Sequence, residues 1–170
     1  MSASPIDLAI VGGGLAGGLI ALAAHRANPT MEIALVEAGD VFGGNHRWSW
    51  FDSDLGPEGD ALMSAFRAKT WTGGNEVRFP KLVRHLSADY RSLDSRDFDA
   101  GLRRLLPQSA LHLNSRALTL AADRVTMEDG RSMNARRVID CRDPAPSPDL
   151  TGGWQVFLGQ HRRMDVPHGI

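Results

Sequence analysis

Residues 8–37 read LAIVGGGLAGGLIALAAHRANPTMEIALVE. Two short apolar runs, Leu8 to Val11 and Ile33 to Val36, enclose three glycines and an alanine- and leucine-rich stretch that stops at Asn28-Pro29. Short runs of branched apolar residues are typical of parallel strands buried on both faces, and the stretch between them is typical of a helix that proline ends. The sequence therefore predicts a strand, a tight turn, a helix and a second strand, which together form a βαβ unit.

The glycine spacing Gly12-x-Gly14-x-x-Gly17 lies directly after the first predicted strand and opens the helix. In a dinucleotide-binding turn, the first glycine allows the tight turn, the second lets the backbone approach a pyrophosphate, and the third lets the helix pack closely. The helix N-terminus offers unpaired N–H groups and a positive dipole end to the phosphates. Glu37, twenty residues beyond Gly17, ends the second strand, where a carboxylate accepts hydrogen bonds from an adenosine ribose. We therefore predict a Rossmann-like α/β domain.

FAD and NAD both bind to this kind of half-site, so another feature of the sequence must distinguish the two cofactors. The spacing from Glu37 to Gly43-Gly44 resembles the loop that many FAD-dependent oxidoreductases place after the ribose acid. The short predicted strands between Ala110 and Asp140 resemble the segment that returns such chains to a parallel strand beside the flavin. FAD is favoured over NAD for both reasons. The residues predicted to contact the cofactor are Gly12, Gly13, Gly14, Leu15, Ala16, Gly17, Glu37, Gly44 and Arg96.

The remainder of the chain has weaker patterns. Residues 39–51 read as a loop that carries the aromatic side chains Trp48, Trp50 and Phe51. The predicted elements that follow are a helix over 60–69, a strand over 76–79, and a helix over 96–106 with Ser95 as its N-cap. Three to five short strands between Ala110 and Cys141 are then predicted to form a small sheet, with a hairpin turn at Asp129-Gly130. We expect one domain over 1–143 and the start of a substrate-binding region over 144–170.

Composition excludes several classes of function. The net charge of −1 and the pI of about 6.6 give no basic footprint, which argues against a nucleic-acid partner. Cys141 is the only cysteine, so an intrachain disulfide or a multi-cysteine zinc site is excluded, no metal is predicted, and a cytoplasmic location is expected. The longest apolar stretch, Leu15 to Ala24, is too short to span a bilayer.

The run Gly43-Gly44-Asn45-His46-Arg47-Trp48-Ser49-Trp50 resembles the segment that follows the ribose acid in bacterial lycopene β-cyclases, an FAD-dependent carotenoid cyclase family. The resemblance extends in order through most of the chain. It includes Val77-Arg78-Phe79-Pro80, Tyr90, Ser95-Arg96-x-Phe98, Val138-Ile139-Asp140, Gly153-Trp154-Gln155-x-Phe157-x-Gly159-Gln160 and Pro167-His168-Gly169.

Two departures from the family accompany this resemblance. The family usually has glycine at the position of Asp143, so a carboxylate replaces a residue beside the cofactor. Family members also continue for more than this length again beyond Ile170, so we expect an incomplete fragment of a two-domain flavoprotein.

The resemblance implies acid-initiated cyclisation of the linear ends of lycopene, or a related linear carotene, into β-rings. Reduced FAD supports this reaction without net redox change, and NAD(P)H is a candidate reductant. The family's catalytic acid is expected beyond Ile170, so the catalytic residues are unknown here. Peripheral contact of the full-length protein with the inner face of the membrane is also expected.

Two other functions fit the same cofactor features. One is another FAD-dependent oxidoreductase, such as a hydroxylase or desaturase, and the other is a non-catalytic nucleotide-binding remnant. The individual side chains also have two interpretations. Trp48, Trp50 and Phe51 either line a polyene pocket or pack a loop onto the core, and Arg96 either faces the cofactor or is an exposed arginine at a helix N-terminus. His46 and Cys141 are given no catalytic role.

Overall fold

The computed structural model describes residues 6–143, and the predicted region 144–170 lies outside that range. In chain order, its strands are β1 (Leu8–Val11), β2 (Ile33–Val36), β3 (Arg47–Phe51), β4 (Lys69–Trp71), β5 (Asn75–Phe79), β6 (Leu82–Leu86), β7 (Tyr90–Asp94), β8 (Leu111–His112), β9 (Ala117–Ala121), β10 (Arg124–Met127), β11 (Ser132–Asn134) and β12 (Val138–Asp140). The α-helices are α1 (Leu15–Ala27), α2 (Pro57–Met63) and α3 (Ser95–Leu105).

A four-stranded parallel sheet with the order β12-β1-β2-β8 organises the fold. Helix α1 connects β1 to β2, and the register pairs Leu8 with Ile33 and Val11 with Val36. All four residues of β2 are buried, as expected for a strand covered on both faces. The predicted βαβ unit and the Rossmann-like α/β fold class are confirmed.

The two faces of this sheet are covered by different parts of the chain. Ile10 and Leu35 face a core that includes Leu22 of α1 and Phe98 of α3. The neighbouring residues of the same strands point the other way and pack against Val125 of β10. Because successive side chains of a strand point to opposite faces of the sheet, the helices pack on one face and a small antiparallel sheet packs on the other.

That antiparallel sheet has the order β11-β10-β9, with a turn at Gly130, whose φ is +83°. The prediction of a small hairpin sheet is confirmed, but its extent was wrong. The first and last of the predicted strands, β8 and β12, pair in parallel with β2 and β1 instead. Strands of two and three residues are too short for their pattern to show which sheet they join.

A second antiparallel sheet has the order β3-β7-β4. The prediction of a loop over 39–51 was wrong at its end, because Arg47–Phe51 is a strand whose residues pair with Tyr90–Asp94. Five consecutive residues that include two tryptophans and a phenylalanine suit a strand, but the residues with which they pair are 39 to 47 positions further along the chain. Strands β5 and β6 form a separate two-stranded hairpin between β4 and β7.

Two helix boundaries also differ from the predictions. Helix α2 spans Pro57–Met63 and not 60–69, because Pro57 suits the first helical turn. Helix α3 starts at Ser95, and its N-cap is Asp94, whose side chain accepts a hydrogen bond from the Arg96 N–H at 2.9 Å. This backbone hydrogen bond holds the pKa of Asp94 below its usual value.

No helix within residues 6–143 is long and apolar enough to cross a bilayer.

Candidate functional site

A cavity of about 580 Å³ lies at the carboxyl ends of the parallel strands. This is the edge at which open α/β sheets bind ligands. The residues that line it come from the turn after β1, the start of α1, the end of β2, the loop before β3 and the segments after β8 and β12. Of the predicted cofactor residues, the lining includes Gly12, Gly14, Leu15, Ala16, Glu37 and Gly44.

The turn after β1 depends on glycine at two positions. Gly12 has a φ of +106°, and a Cβ there would lie 2.7 Å from the carbonyl carbon of Cys141. A Cβ on Gly17 would collide with the carbonyl oxygen of Gly12, so α1 approaches β1 only because Gly17 has no side chain. Protein backbone therefore packs tightly against the turn at Gly12 and Gly17, and neither position has room for a side chain.

Gly14 differs from both of these glycines. Its backbone is extended, with φ −71° and ψ −171°, and a Cβ on it would meet nothing within 4 Å. Gly14 lines the cavity and is the N-cap of α1, so the space beside it is the space in front of the helix N-terminus. No side chain caps this end and no acidic residue lies in the first turn, which leaves N–H groups and the positive dipole end available to an anion.

The Glu37 carboxylate is fixed between two backbone N–H groups. Oε2 accepts a hydrogen bond from Gly13 at 2.8 Å, and Oε1 accepts one from Gly39 at 2.7 Å. Gly13 is placed behind the turn, where a Cβ would lie 2.5 Å from the Phe42 ring and 2.9 Å from the Glu37 Cβ. Each carboxylate oxygen keeps a further lone pair, so Glu37 can accept additional hydrogen bonds from a ligand.

The loop at Gly43-Gly44 forms the next wall of the cavity. Both glycines have positive φ, +77° and +55°, and the Gly43 N–H donates to the Gly13 carbonyl at 2.8 Å. A Cβ on Gly43 would lie 2.9 Å from the Trp48 ring. The loop therefore runs against the glycine turn with only backbone between them, which keeps the cavity open.

The aromatic side chains separate into two environments. Trp48 lines the cavity and packs edge-on against Phe98, with ring centroids 5.2 Å apart. Trp50 is buried in the core, and Phe51 packs against Tyr90 at 5.2 Å. His46 also lines the cavity and stacks on Trp48 at 5.9 Å. Among the aromatic residues 48, 50 and 51, only Trp48 lies at the site.

Arg96 does not line this cavity. Its side chain is 94% exposed, and its Nε lies 3.6 Å from Asp94 Oδ1. It lines a neighbouring depression with Gly44 and His46, two residues that also line the main cavity. The structure thus places Arg96 beside the site, on its outer side.

Asp143, at the position that the resemblance placed beside the cofactor, lines the cavity. Five other lining residues after β8 and β12 were not predicted from the sequence: Ser115, Arg116, Ala117, Cys141 and Arg142. The carboxyl ends of parallel strands meet at one edge, so correct placement of β8 and β12 would have predicted them.

Arg142 is held by its neighbour Asp140 through Nε–Oδ1 and Nη2–Oδ2 contacts of 2.8 and 2.9 Å. This pairing lowers the pKa of Asp140 and raises that of Arg142. Burial raises the pKa of the Cys141 thiol, so the thiolate is disfavoured at neutral pH.

Within residues 6–143, no group of three His, Cys, Asp or Glu side chains is placed to hold a metal ion.

Solved structures with the same fold share little sequence with this chain. It superposes on 2-methyl-3-hydroxypyridine-5-carboxylic acid oxygenase with a TM-score of 0.62 and 15% identity, covering 79% of this chain and 39% of that one. The peptidyl tryptophan dihydroxylase QhpG gives 0.55 and 19% over 86% and 35%. BrvH, a flavin-dependent halogenase from Brevundimonas sp. BAL3, gives 0.52 and 16% over 81% and 42%.

Curated relatives are much closer in sequence. The chain is 38% identical over 164 residues to the lycopene beta-cyclase of Pseudescherichia vulneris and 35% identical over 164 residues to that of Pantoea ananas. It is 36% identical over 166 residues to the lycopene beta-cyclase of Paracoccus sp. (strain N81106 / MBIC 01143). Each match covers 96% of this chain and 42% of the relative, so the chain spans less than half the length of these relatives.

The family model described as "Lycopene cyclase protein" matches residues 7–170. This range includes the glycine turn, Glu37 and every segment that lines the cavity. The resemblance predicted from the Gly43–Trp50 run is thereby confirmed, and the chain belongs to the lycopene cyclase family.

Proposed function

We propose that this chain is the FAD-binding part of a lycopene β-cyclase. The observation that carries the proposal is one cavity in which the glycine turn, the uncapped N-terminus of α1 and the fixed carboxylate of Glu37 meet, in a chain of the lycopene cyclase family.

The residues of this cavity fit the adenosine diphosphate part of FAD. The space beside Gly14, at the N-terminus of α1, suits a pyrophosphate because backbone N–H groups and the helix dipole favour anions. Glu37 has free lone pairs for the ribose hydroxyl groups while it keeps its bonds to Gly13 and Gly39. Leu15, Ala16 and Gly44 complete the predicted contacts, and Arg96 is in reach only from the outer depression.

Reduced FAD would supply an electron-rich ring system that stabilises positive charge, and NAD(P)H is the proposed source of its electrons. The reaction itself has no net redox change: protonation of a terminal alkene of lycopene, or of a related linear carotene, starts ring closure, and loss of a ring proton ends it. Protonation of an alkene needs a strong acid in a pocket that excludes water.

The carboxylates at this cavity do not suit that role. Both oxygens of Glu37 already accept backbone hydrogen bonds, and Asp143 is exposed and does not lie in a pocket that excludes water. We propose that the catalytic acid comes from the part of the relatives' length that this chain does not span, as predicted from the resemblance. Of the aromatic residues 48, 50 and 51, Trp48 lines the cavity, which supports a contact of its ring with bound cofactor or substrate.

Two alternative functions were another FAD-dependent oxidoreductase and a non-catalytic nucleotide-binding remnant. Flavin-dependent oxygenases and halogenases share the fold, but the three named above are at most 19% identical to this chain in sequence, and that likeness shows the fold alone. The family match instead favours the cyclase over the hydroxylase or desaturase and over the non-catalytic remnant.

A chimera tests the proposal. Residues 1–170 are joined to the remaining length of the Pseudescherichia vulneris relative, aligned at the end of the match, and expressed in a bacterium that accumulates lycopene. We expect β-carotene from the chimera, and loss of it when Gly14 is replaced by valine. A folded, flavin-containing chimera that leaves lycopene unchanged would overturn the proposed function.

A further inference from the structure

The loop over residues 39–44, which carries one wall of the cavity, is held from two sides. The Gly43 N–H donates to the Gly13 carbonyl in the turn after β1, at 2.8 Å. The N–H of its neighbour Phe42 donates to Oδ1 of Asp99 in α3, at 2.9 Å. Phe42 is fully buried, so its N–H requires an acceptor within the protein. Two consecutive residues of the 39–44 loop therefore join the glycine turn to helix α3.

Arg103, one turn further along α3, holds Asp99 in this position. Its Nε donates to Asp99 Oδ2 at 2.7 Å. Its Nη2 donates to the Asp40 carbonyl at 3.1 Å, and its Cζ lies 5.9 Å from the centroid of the Phe42 ring. Because a guanidinium has a fork of donors, one arginine contacts the carboxylate and the loop at the same time. These two residues of α3 form the Asp99–Arg103 clamp.

The clamp acts on the cavity through the Phe42 side chain. A Cβ on Gly13 would lie 2.5 Å from the Phe42 ring, so this ring packs directly behind the glycine turn. Gly13 is also the residue whose N–H holds Oε2 of Glu37. A shift of Phe42 would therefore move the surface against which the turn and Glu37 are set. Neither Asp99 nor Arg103 lines the cavity, so neither is placed to touch the cofactor.

We propose that the Asp99–Arg103 clamp positions the FAD site, because it holds the 39–44 loop against the glycine turn before the cofactor binds. Asp99 and Arg103 are then positioning residues. Without the clamp, the loop leaves this position for part of the time, and the Kd for FAD rises by the factor by which the binding-competent fraction falls. The inference rests on the proposed function, since FAD is the ligand that the site is proposed to hold.

Arg104, the next residue of α3, provides a matched control. Its Nη2 donates to the Ala65 carbonyl at 2.7 Å, so it also joins α3 to the backbone of another segment, but Ala65 does not line the cavity. Arg103→Met and Arg104→Met each remove one guanidinium and keep an unbranched apolar side chain. A residue that only stabilises the fold would have the same effect at both positions.

The test is fluorescence titration of the 170-residue chain with FAD, together with thermal unfolding of each variant without FAD. We expect Arg103→Met to raise the Kd about tenfold, as when the loop keeps its position in about one molecule in ten. Arg104→Met should leave the Kd unchanged at a similar loss in Tm. Asp99→Ala should raise the Kd at least as much as Arg103→Met. Asp99→Asn should recover part of this loss, because its side-chain oxygen still accepts a hydrogen bond from the Phe42 N–H.

Two results would overturn the inference while the proposed function stands. One is an unchanged Kd for Arg103→Met and for Asp99→Ala, and the other is an equal rise in Kd for Arg103→Met and Arg104→Met. Should Asp99→Ala not fold, the titrations of Arg103→Met and Asp99→Asn decide. Absence of FAD binding by the unchanged chain would overturn the proposed function and this inference with it, so the two failures are distinguishable.

Discussion

The Gly13 N–H donates a hydrogen bond to Oε2 of Glu37 at 2.8 Å, which joins the glycine turn after β1 to the end of β2. The same carboxylate accepts a bond from Gly39 through its other oxygen. Glu37 therefore has two tasks: it fixes the turn in the protein, and it presents its remaining lone pairs to the cavity.

Glu37→Gln is expected to weaken FAD binding by about 10- to 100-fold, because hydrogen bonds to a charged group contribute about 1.5–3 kcal/mol each. The amide also turns an N–H toward one of two backbone donors, so a modest loss of stability accompanies the loss of affinity. Fluorescence titration with FAD measures the effect. Glu58→Gln, on exposed residue 58 of α2, is the matched control, and equal affinities for both variants would contradict the role given to Glu37.

Gly14→Val is expected to abolish flavin retention while the fold remains. A side chain at this position meets no protein atom within 4 Å and points into the space assigned to the pyrophosphate. Gly56 provides a close control: it is also a helix N-cap, with φ −75° and ψ 172° and open space around it. Flavin-to-protein ratios after gel filtration should be near zero for Gly14→Val and unchanged for Gly56→Val. Normal flavin in the first variant would show that the pyrophosphate lies elsewhere.

Because of His112, the protein is expected to become less stable as the pH falls below about 6.5. Burial lowers the pKa of this half-buried imidazole, so the unfolded chain binds its proton more readily than the folded one. Its contribution is fully present above the unfolded pKa of about 6.5 and is lost as the pH falls toward the folded pKa. Thermal unfolding from pH 8 to pH 5.5 should show a smaller drop in Tm for His112→Gln than for the unchanged chain. Parallel curves would contradict this.

The 170-residue chain alone is expected to form no β-carotene in a lycopene-accumulating bacterium. Two carboxylates line the described cavity: Glu37, whose oxygens accept backbone hydrogen bonds, and Asp143, which is exposed. Neither is placed as an acid in a pocket that excludes water. Chromatography of the extracted pigments provides the measurement, and the chimera provides the positive control. β-Carotene from this chain alone would place the acid within residues 1–170.

The βαβ unit could be predicted because its signals are local. Strand, glycine spacing, helix, strand and Glu37 lie within thirty residues, and each agrees with the others. The predicted N-cap of α3, Ser95, was wrong by one residue because aspartate and serine are both good N-cap residues. Only the structure shows that the side chain of Asp94 accepts the hydrogen bond from the Arg96 N–H.

The missed parts depend on contacts between distant residues. Trp48 and Leu93 face each other across β3 and β7, and nothing in either segment alone indicates the partner. Ser115 and Arg142 reach the cavity because β8 and β12 join the parallel sheet through two or three residues each. Periodicity carries no information at that length.

The most direct measurement is the thermal unfolding of the purified chain with FAD, with NAD⁺ and with neither. A ligand present at about 100 times its Kd stabilises the folded state by about 2.7 kcal/mol, which raises Tm by roughly 5–10 °C in a domain of this size. We expect this rise with FAD, no rise with NAD⁺, and none with FAD for Gly14→Val. A rise with NAD⁺ alone, or an FAD effect that Gly14→Val leaves unchanged, would contradict it.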